Sequence, residues 1–230
     1  MIKVENVDVF NFEGAIRGMR NPMNSWDKSD SWFSDGYSVY NVAGVHAPID
    51  TDCEPSKITI GKNDLNLMRT LYNAGSEHRK YLRQIFVSMD ITAPLYWWKE
   101  FDTYKIGTTA DSCSTMHKIH AKEFEPDDFS IEHLYGDVLV LFEDNIIETL
   151  NVYRKAYINT KDKRYWWQLI QLLPSSYNQK RTVTFTYENV VTMIRQRTGH
   201  KLDEWRNFVE ILKGLPYVKD IMNAMGETTE

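Results

Sequence analysis

Residues 1–12 (MIKVENVDVFNF) alternate apolar and polar side chains with period two, which reads as a strand. Residues 13–20 (EGAIRGMR) fit one or two helical turns that stop before Pro22. Residues 21–52 are rich in Asn, Ser, Asp, Gly and Tyr and predict a long loop with short extended pieces, a length that marks functional segments in compact domains. Leu65, Met68, Leu71 and Tyr72 recur at helical spacing over 64–75, and Gly75 is the stop signal. Residues 84–92 (QIFVSMDIT) alternate again and predict a strand. Pro94 then opens an aromatic helix over 95–104 with the proline in its first turn. Small hydroxylated residues over 106–115 (IGTTADSCST) predict a loop. A long helical pattern covers Ile131 to Tyr157, and a second covers Arg164 to Leu173. Residues 180–187 (KRTVTFTY) are β-prone. Helices at 189–196 and 203–213 follow, separated at Thr198-Gly199.

Residues 1–230 show no internal repeat, no low-complexity run and no linker composition, so the pattern predicts one α+β domain. Hydrophobic residues make up 42% and charged residues 26%, which is ordinary for a globular chain able to bury a core. The formal net charge of −5 gives no whole-chain signal for nucleic acid. The N-terminal segment carries Glu5, Asp8 and Glu13 and has no signal-peptide apolar core. No run approaches the ~18 apolar residues of a membrane span. A cytoplasmic protein with no membrane or nucleic-acid partner is the expectation.

Cys53 and Cys113 make no disulfide framework, and no His or Cys spacing matches a zinc site. Cys113 has no base placed beside it by the sequence, so a buried or inert thiol is favoured over a nucleophile. His117 and His120 could share a helix face, but no carboxylate motif supports a metal there, and no metal is expected. Seven Trp bring large apolar payloads. Core or subunit packing is favoured over base stacking for Trp97, Trp98, Trp166 and Trp167.

Three segments carry candidate chemistry. Gly75-Ser76-Glu77-His78-Arg79-Lys80 follows a helix stop and reads either as an anion site, with forked Arg donors, or as a solvated helix start. Lys105 to Ser114 sets Thr108, Thr109, Ser112 and Ser114 around Gly107, small residues that let a backbone approach a ligand. It does not match the Walker pattern and also reads as a plain polar loop. Arg195-Gln196-Arg197-Thr198-Gly199-His200-Lys201 is basic and glycine-broken, and reads equally as an anion site or as helix capping by cations.

The order and spacing of these segments resemble the ligand segments of flavin-dependent thymidylate synthases. The resemblance is clearest over Asp90 to Lys105 (DITAPLYWWKEFDTYK): Ala93-Pro94 ends the strand, Lys99-Glu100 stands in an Arg-Gln place, and Thr103-Tyr104-Lys105 in an Arg-His-Arg place. Thr108, Asp111 or Ala110, and Ser112 or Ser114 then resemble the Ser, Asn-Glu and Ser of the signature loop, with Met116-His117 where Arg-Tyr is usual. Ala74 to His78 resembles a His-Gly-His-Glu segment, and Ala15 to Arg20 an Ala-x-Arg-x-x-Arg helix. Leu173-Pro174 with Lys180-Arg181 resembles a Leu-Pro segment followed by a nucleotide-holding Arg. Arg197, His200 and Trp205 resemble the late Arg, His and Trp.

The resemblance covers about residues 10–210. It implies a central, mostly antiparallel sheet flanked by helices, and a homotetramer. It also implies an FAD cofactor, with NADPH and methylenetetrahydrofolate as co-substrates and dUMP as the nucleotide receiving one carbon. It implies that His78, Arg79, Lys105, Thr108 and His200 hold FAD, and that Glu100, Ser112, Ser114, Arg181 and Arg197 hold dUMP. No catalytic side chain is assigned. Thr103, Tyr104 and Met116 depart from the signature. They remove charge-assisted phosphate bonds worth roughly 1.5–3 kcal/mol each. A relative that keeps the fold as a nucleotide-binding or interaction module without catalysis is the alternative.

Overall fold

The computed structural model describes residues 2–34, 38–47 and 58–223. Cys53, the start of the tail after Asn223 and parts of the predicted 21–52 loop lie outside the described residues. The fold is α+β, with antiparallel sheets flanked by helices.

In chain order the elements are β1 (Lys3–Phe10), α1 (Phe12–Arg20), two single 3-10 turns (Asn21–Met23, Trp26–Lys28), β2 (Trp32–Ser34), β3 (Val39–Tyr40), β4 (His46–Ala47), β5 (Ile58–Thr59) and α2 (Lys62–Asn73). A 3-10 turn (Lys80–Arg83), β6 (Phe86–Pro94), α3 (Leu95–Phe101), β7 (Thr109–Ser112) and a 3-10 turn (Pro126–Asp128) follow. Then come α4 (Asp137–Leu141), a π-helical turn (Phe142–Ile147), α5 (Glu148–Thr160), α6 (Lys163–Leu172), β8 (Asn178–Thr186), α7 (Tyr187–Arg197), α8 (Asp203–Lys213) and α9 (Val218–Met222). No helix among the described residues is long and apolar enough to cross a membrane.

One sheet has the order β1-β6-β8-β7. The alternation predicted for β6 is realised residue by residue: Val87, Met89, Ile91 and Ala93 are buried, and the residues between them are less so. The second sheet, β4-β3-β2-β5, is antiparallel throughout, with Phe33 opposite Tyr40 and Ile58.

The chain divides into two compact units. The first holds residues 1–7, 89–183 and 200–208, the second residues 8–88, 184–199 and 209–230. In the first, α3 places Trp97, Trp98 and Phe101 at 0–1% exposure. Trp97 meets Phe101 at 5.1 Å, Trp205 at 4.8 Å and Phe208 at 5.2 Å between ring centroids. The packing reading of Trp97 and Trp98 holds. Phe124, Phe129, Phe142, Leu150 and Leu169 form a second apolar cluster in the same unit. In the second unit the core is built from Ala15, Ile16, Met68, Tyr72, Tyr81, Leu82 and Tyr187.

Three sequence expectations are corrected. Pro94 is the last residue of β6 and the N-cap of α3, with extended ψ of 152°, not part of the helix's first turn. The loop expected over 106–115 contains β7, whose four residues are all exposed. With no face of β7 buried, no apolar alternation announces it. The helix expected from Ile131 begins only at Asp137, because Gly136 at φ 57° breaks the chain before it, and it passes through a π-helical turn. Within the 21–52 segment the expected short extended pieces are β2, β3 and β4, which pair with one another into most of a sheet. They are only two or three residues long, too short for periodicity to register.

Candidate functional site

In the first unit the candidate residues gather where α3 ends. The helix stops because the chain turns: the Thr103 amide and its Oγ1 both donate to the Glu100 carbonyl, the latter at 2.7 Å, and the Tyr104 amide donates to Phe101. Tyr104 then packs its ring 6.0 Å from Trp205. Thr103 and Tyr104, the two signature positions that depart most from Arg and His, therefore serve local structure. Gly107, at φ 74°, supplies the left-handed residue of the next turn, and the Thr108 amide donates to the Lys105 carbonyl at 3.4 Å. Lys105 is exposed. Ser112 ends β7, also exposed, and the Cys113 amide donates to the Lys180 carbonyl of β8.

His200 and Glu100, 100 positions apart in sequence, meet. Nε2 of His200 lies 3.3 Å from Oε2 of Glu100. Nδ1 of the same ring accepts from the Leu202 amide at 3.2 Å, which puts the proton on Nε2, facing the carboxylate. The ring also stands edge-on to Trp205, 6.2 Å away.

Arg181 on β8 is held on three sides. Its Nε donates to Gln179 Oε1 at 3.0 Å and its Nη1 to Asp102 at 2.8 Å, while its guanidinium lies 4.2 Å over the Trp98 ring. Nη2 takes part in neither bond. Gln179 is itself fixed by donating to the Cys113 carbonyl. Asp102, Gln179 and Trp98 are the residues that sequence reasoning missed here. Asp102 is 79 positions from Arg181, and no local spacing could have signalled it.

Ser114 Oγ accepts from the Met116 and His117 amides and lies 2.9 Å from His117 Nδ1, so it caps its own turn. Met116 is exposed, and its carbonyl accepts from Trp166 Nε1. Cys113 is exposed, so of the two expectations, buried or inert, the first does not hold. Nearby on the sheet, Asp90 accepts from Thr182, Asn6 and Lys180, which together hold its carboxyl down at about 2.

The second unit holds His78, Arg79 and Arg197. His78 is exposed in the turn after α2, where Gly75 at φ 111° allows the reversal. Arg79 is nearly buried. Its Nε and Nη2 both bond Glu188 Oε1, at 3.1 and 2.8 Å, and its guanidinium lies 5.6 Å from the Tyr72 ring centre. Nη1 takes part in neither bond. Glu188, at the start of α7, was not anticipated. Arg197 closes α7. Arg195, two residues earlier, places its guanidinium 4.8 Å from the Tyr72 ring centre.

His78 also lines a pocket of about 490 Å³ with Met19, Asn21, Lys80 and Gln84. No group of three or more His, Cys, Asp or Glu among the described residues is placed to hold a metal ion.

Solved structures similar to this chain include two of thymidylate synthase ThyX. The flavin-dependent thymidylate synthase ThyX from Helicobacter pylori, complexed with FAD and dUMP, matches with a TM-score of 0.64 and 15% identity, over 95% of this chain and 98% of that one. A second structure of thymidylate synthase X from the same organism, also with FAD and dUMP, matches at 0.63 and 14%, over 96% of each chain. No protein-family model matches, and no curated protein matches. At this identity the likeness establishes the fold.

Proposed function

We propose that this chain is a flavin-dependent thymidylate synthase-like protein that binds FAD and dUMP and adds a one-carbon unit from methylenetetrahydrofolate to the nucleotide. The observation that carries the reading is a whole-chain fold match to FAD- and dUMP-bound enzymes, reached independently of the ordered segments read from sequence. With it come, as parts of the same proposal, a single domain over 1–230, NADPH as reductant, a homotetramer and a cytoplasmic location.

The residues fit an anionic ligand in a specific way. Arg79 and Arg181 each spend two nitrogens on protein partners and keep one, Nη1 and Nη2 respectively, outside those bonds. Guanidinium has five donors in a rigid fork, so a carboxylate on one edge orients the other for a phosphate. On this reading Arg181, Ser112, Ser114, Glu100 and Arg197 serve dUMP, and His78, Arg79, Lys105, Thr108 and His200 serve FAD. When bound, the flavin supplies the hydride chemistry. The chain's part is to bind and orient. Glu100 fixes the His200 ring and keeps its Nε2 proton in place, and Lys105 brings an exposed charge to the turn that carries Thr108.

The non-catalytic alternative is favoured by one observation: Thr103 and Tyr104 are bound up in the helix stop and in packing on Trp205, where charged donors would be required.

The purified protein's visible spectrum and a titration with FAD followed by flavin fluorescence test binding. Flavin oxidation in the presence of dUMP and methylenetetrahydrofolate tests turnover. Saturable FAD binding with turnover supports the enzyme. Binding without turnover supports the alternative, and no FAD binding at millimolar concentration overturns the enzyme and leaves the alternative.

A further inference from the structure

The loop after β7, the C-terminal end of α5 and the start of α6 enclose a pocket of about 390 Å³ that the proposed flavin and nucleotide residues do not enter. Its walls are aromatic. Trp166 and Trp167 stand 4.9 Å apart at 68°, forming a corner. Trp166 is pinned by its indole N–H on the Met116 carbonyl at 3.0 Å, so that wall is set before any ligand arrives. Trp167 is 50% exposed, an unusual place for the largest apolar side chain unless something covers it. Opposite, His120 packs edge-on to Tyr157 at 4.8 Å.

His120 gives the pocket a polar demand. Its Nδ1 is buried and has no hydrogen-bond partner, which buried polar atoms in folded proteins rarely tolerate. The charges around it are all positive. Burial first, and then Lys161, Lys118 and Arg154, depress the protonation of the imidazole. Lys163 lines the pocket, and Lys161 lies 5.9 Å from the Tyr157 ring centre. The carboxylate between these lysines, Asp162, is turned to the start of α6, where Arg164 takes both of its oxygens.

We infer that this pocket binds a planar heteroaromatic anion of one or two rings. The ring would stack in the Trp166–Trp167 corner, the anionic group would meet Lys163, and a polar ring or linker atom would meet His120 Nδ1. A nucleoside monophosphate and an aromatic carboxylate share this chemistry. Stacking on Trp with a cation at the edge is sequence-tolerant and adds affinity without a deep cavity.

The test is a titration of the full-length protein, free of flavin, with AMP and separately with quinoline-2-carboxylate, followed by tryptophan fluorescence. Saturable quenching with Kd below about 1 mM is expected for at least one of them, and the one that binds identifies the source of the anion. Trp167→Ala and Lys163→Glu each should weaken it about tenfold or more. Lys163 is exposed, so its variant keeps the test sharp if Trp167→Ala misfolds. Uncharged adenosine should bind Lys163→Glu and the parent chain alike. No saturable binding of either probe, or binding that both variants retain, overturns the inference.

Discussion

Arg20 and Asp64, 44 positions apart, form an ion pair at 2.6 Å with side chains only 4% and 0% exposed. The pair is a hub. Asp64 also accepts from the Ser29 and Ser31 hydroxyls and from the Asp30 and Ser31 amides, while Arg20 donates to the Ser25 and Lys28 carbonyls. It ties α1 and α2 to the segment between α1 and β2, turning a polar stretch into fixed structure. Burying charge is tolerated here because the carboxylate accepts several bonds and every guanidinium nitrogen donates at least one. Replacing Asp64 by Ala strands the guanidinium, and the expected loss of stability is about 3–5 kcal/mol. The double variant Arg20→Met/Asp64→Leu should lose much less, and denaturant unfolding of the three proteins measures the difference.

Gly61 depends on the same hub for a different reason. A Cβ there would lie 2.3 Å from the Asp30 carbonyl oxygen and 2.2 Å from its side chain, at an ordinary φ of −74°. The clash is with backbone, so α2 must shift. Gly61→Ala should cost roughly 1–3 kcal/mol, read as a fall in thermal midpoint, although alanine is the better helix former.

Arg181 is held by geometry that lysine cannot copy. Its fork bonds Gln179 and Asp102 and covers Trp98. Arg181→Lys should lose roughly 1–2 kcal/mol of stability from the lost bonds and stacking, and change the tryptophan emission. If dUMP binds as proposed, its affinity falls in the same variant.

Asp90 sets an acid limit. Thr182, Asn6 and Lys180 hold its folded carboxyl down at about 2, against an unperturbed value of 3.8. Its folded pKa is depressed, so its stabilising contribution is complete above the unperturbed value and is lost as pH falls toward about 2. Asp90→Asn should therefore be less stable than the parent chain at neutral pH, with the gap closing between pH 4 and 2. Denaturant midpoints at pH 7 and at the acid end check it. A constant gap excludes the linkage.

Glu100 is proposed to serve dUMP and also faces His200. Glu100→Gln removes the charge but keeps a hydrogen-bond acceptor for Nε2. If the carboxylate contacts the nucleotide, dUMP should bind more weakly in the variant, by up to about fivefold for a partly exposed contact of about 1 kcal/mol. Tighter binding would show instead that Glu100 competes with the ligand's anionic group for His200.

Most elements legible in the sequence bury a face, although β1, legible from its alternation, has no buried residue. β6 alternates because every second side chain is in the core, and α2 repeats Met68 and Tyr72 at helical spacing for the same reason. Trp97 and Trp98 read as packing, and they pack. What escaped was structure without a periodic apolar face. β7 is exposed along its length, and α9, only five residues long, has too few positions to show a period. The start of α4 depended on one glycine's positive φ.

The candidate site divides in the same way. Local order along the chain made Glu100, Arg181 and His200 candidates, and the turn residues Gly75 and Gly107 sit where their left-handed φ is needed. Which carboxylate holds which cation is invisible there, because the partners lie 79, 100 and 109 positions apart. Sequence determines side-chain chemistry and the short-range period of burial, since both follow from neighbours a few residues away. Only the tertiary structure decides that Asp102 orients Arg181, that Glu188 orients Arg79 and that a pocket opens beside Trp167, since these depend on segments the fold alone brings together.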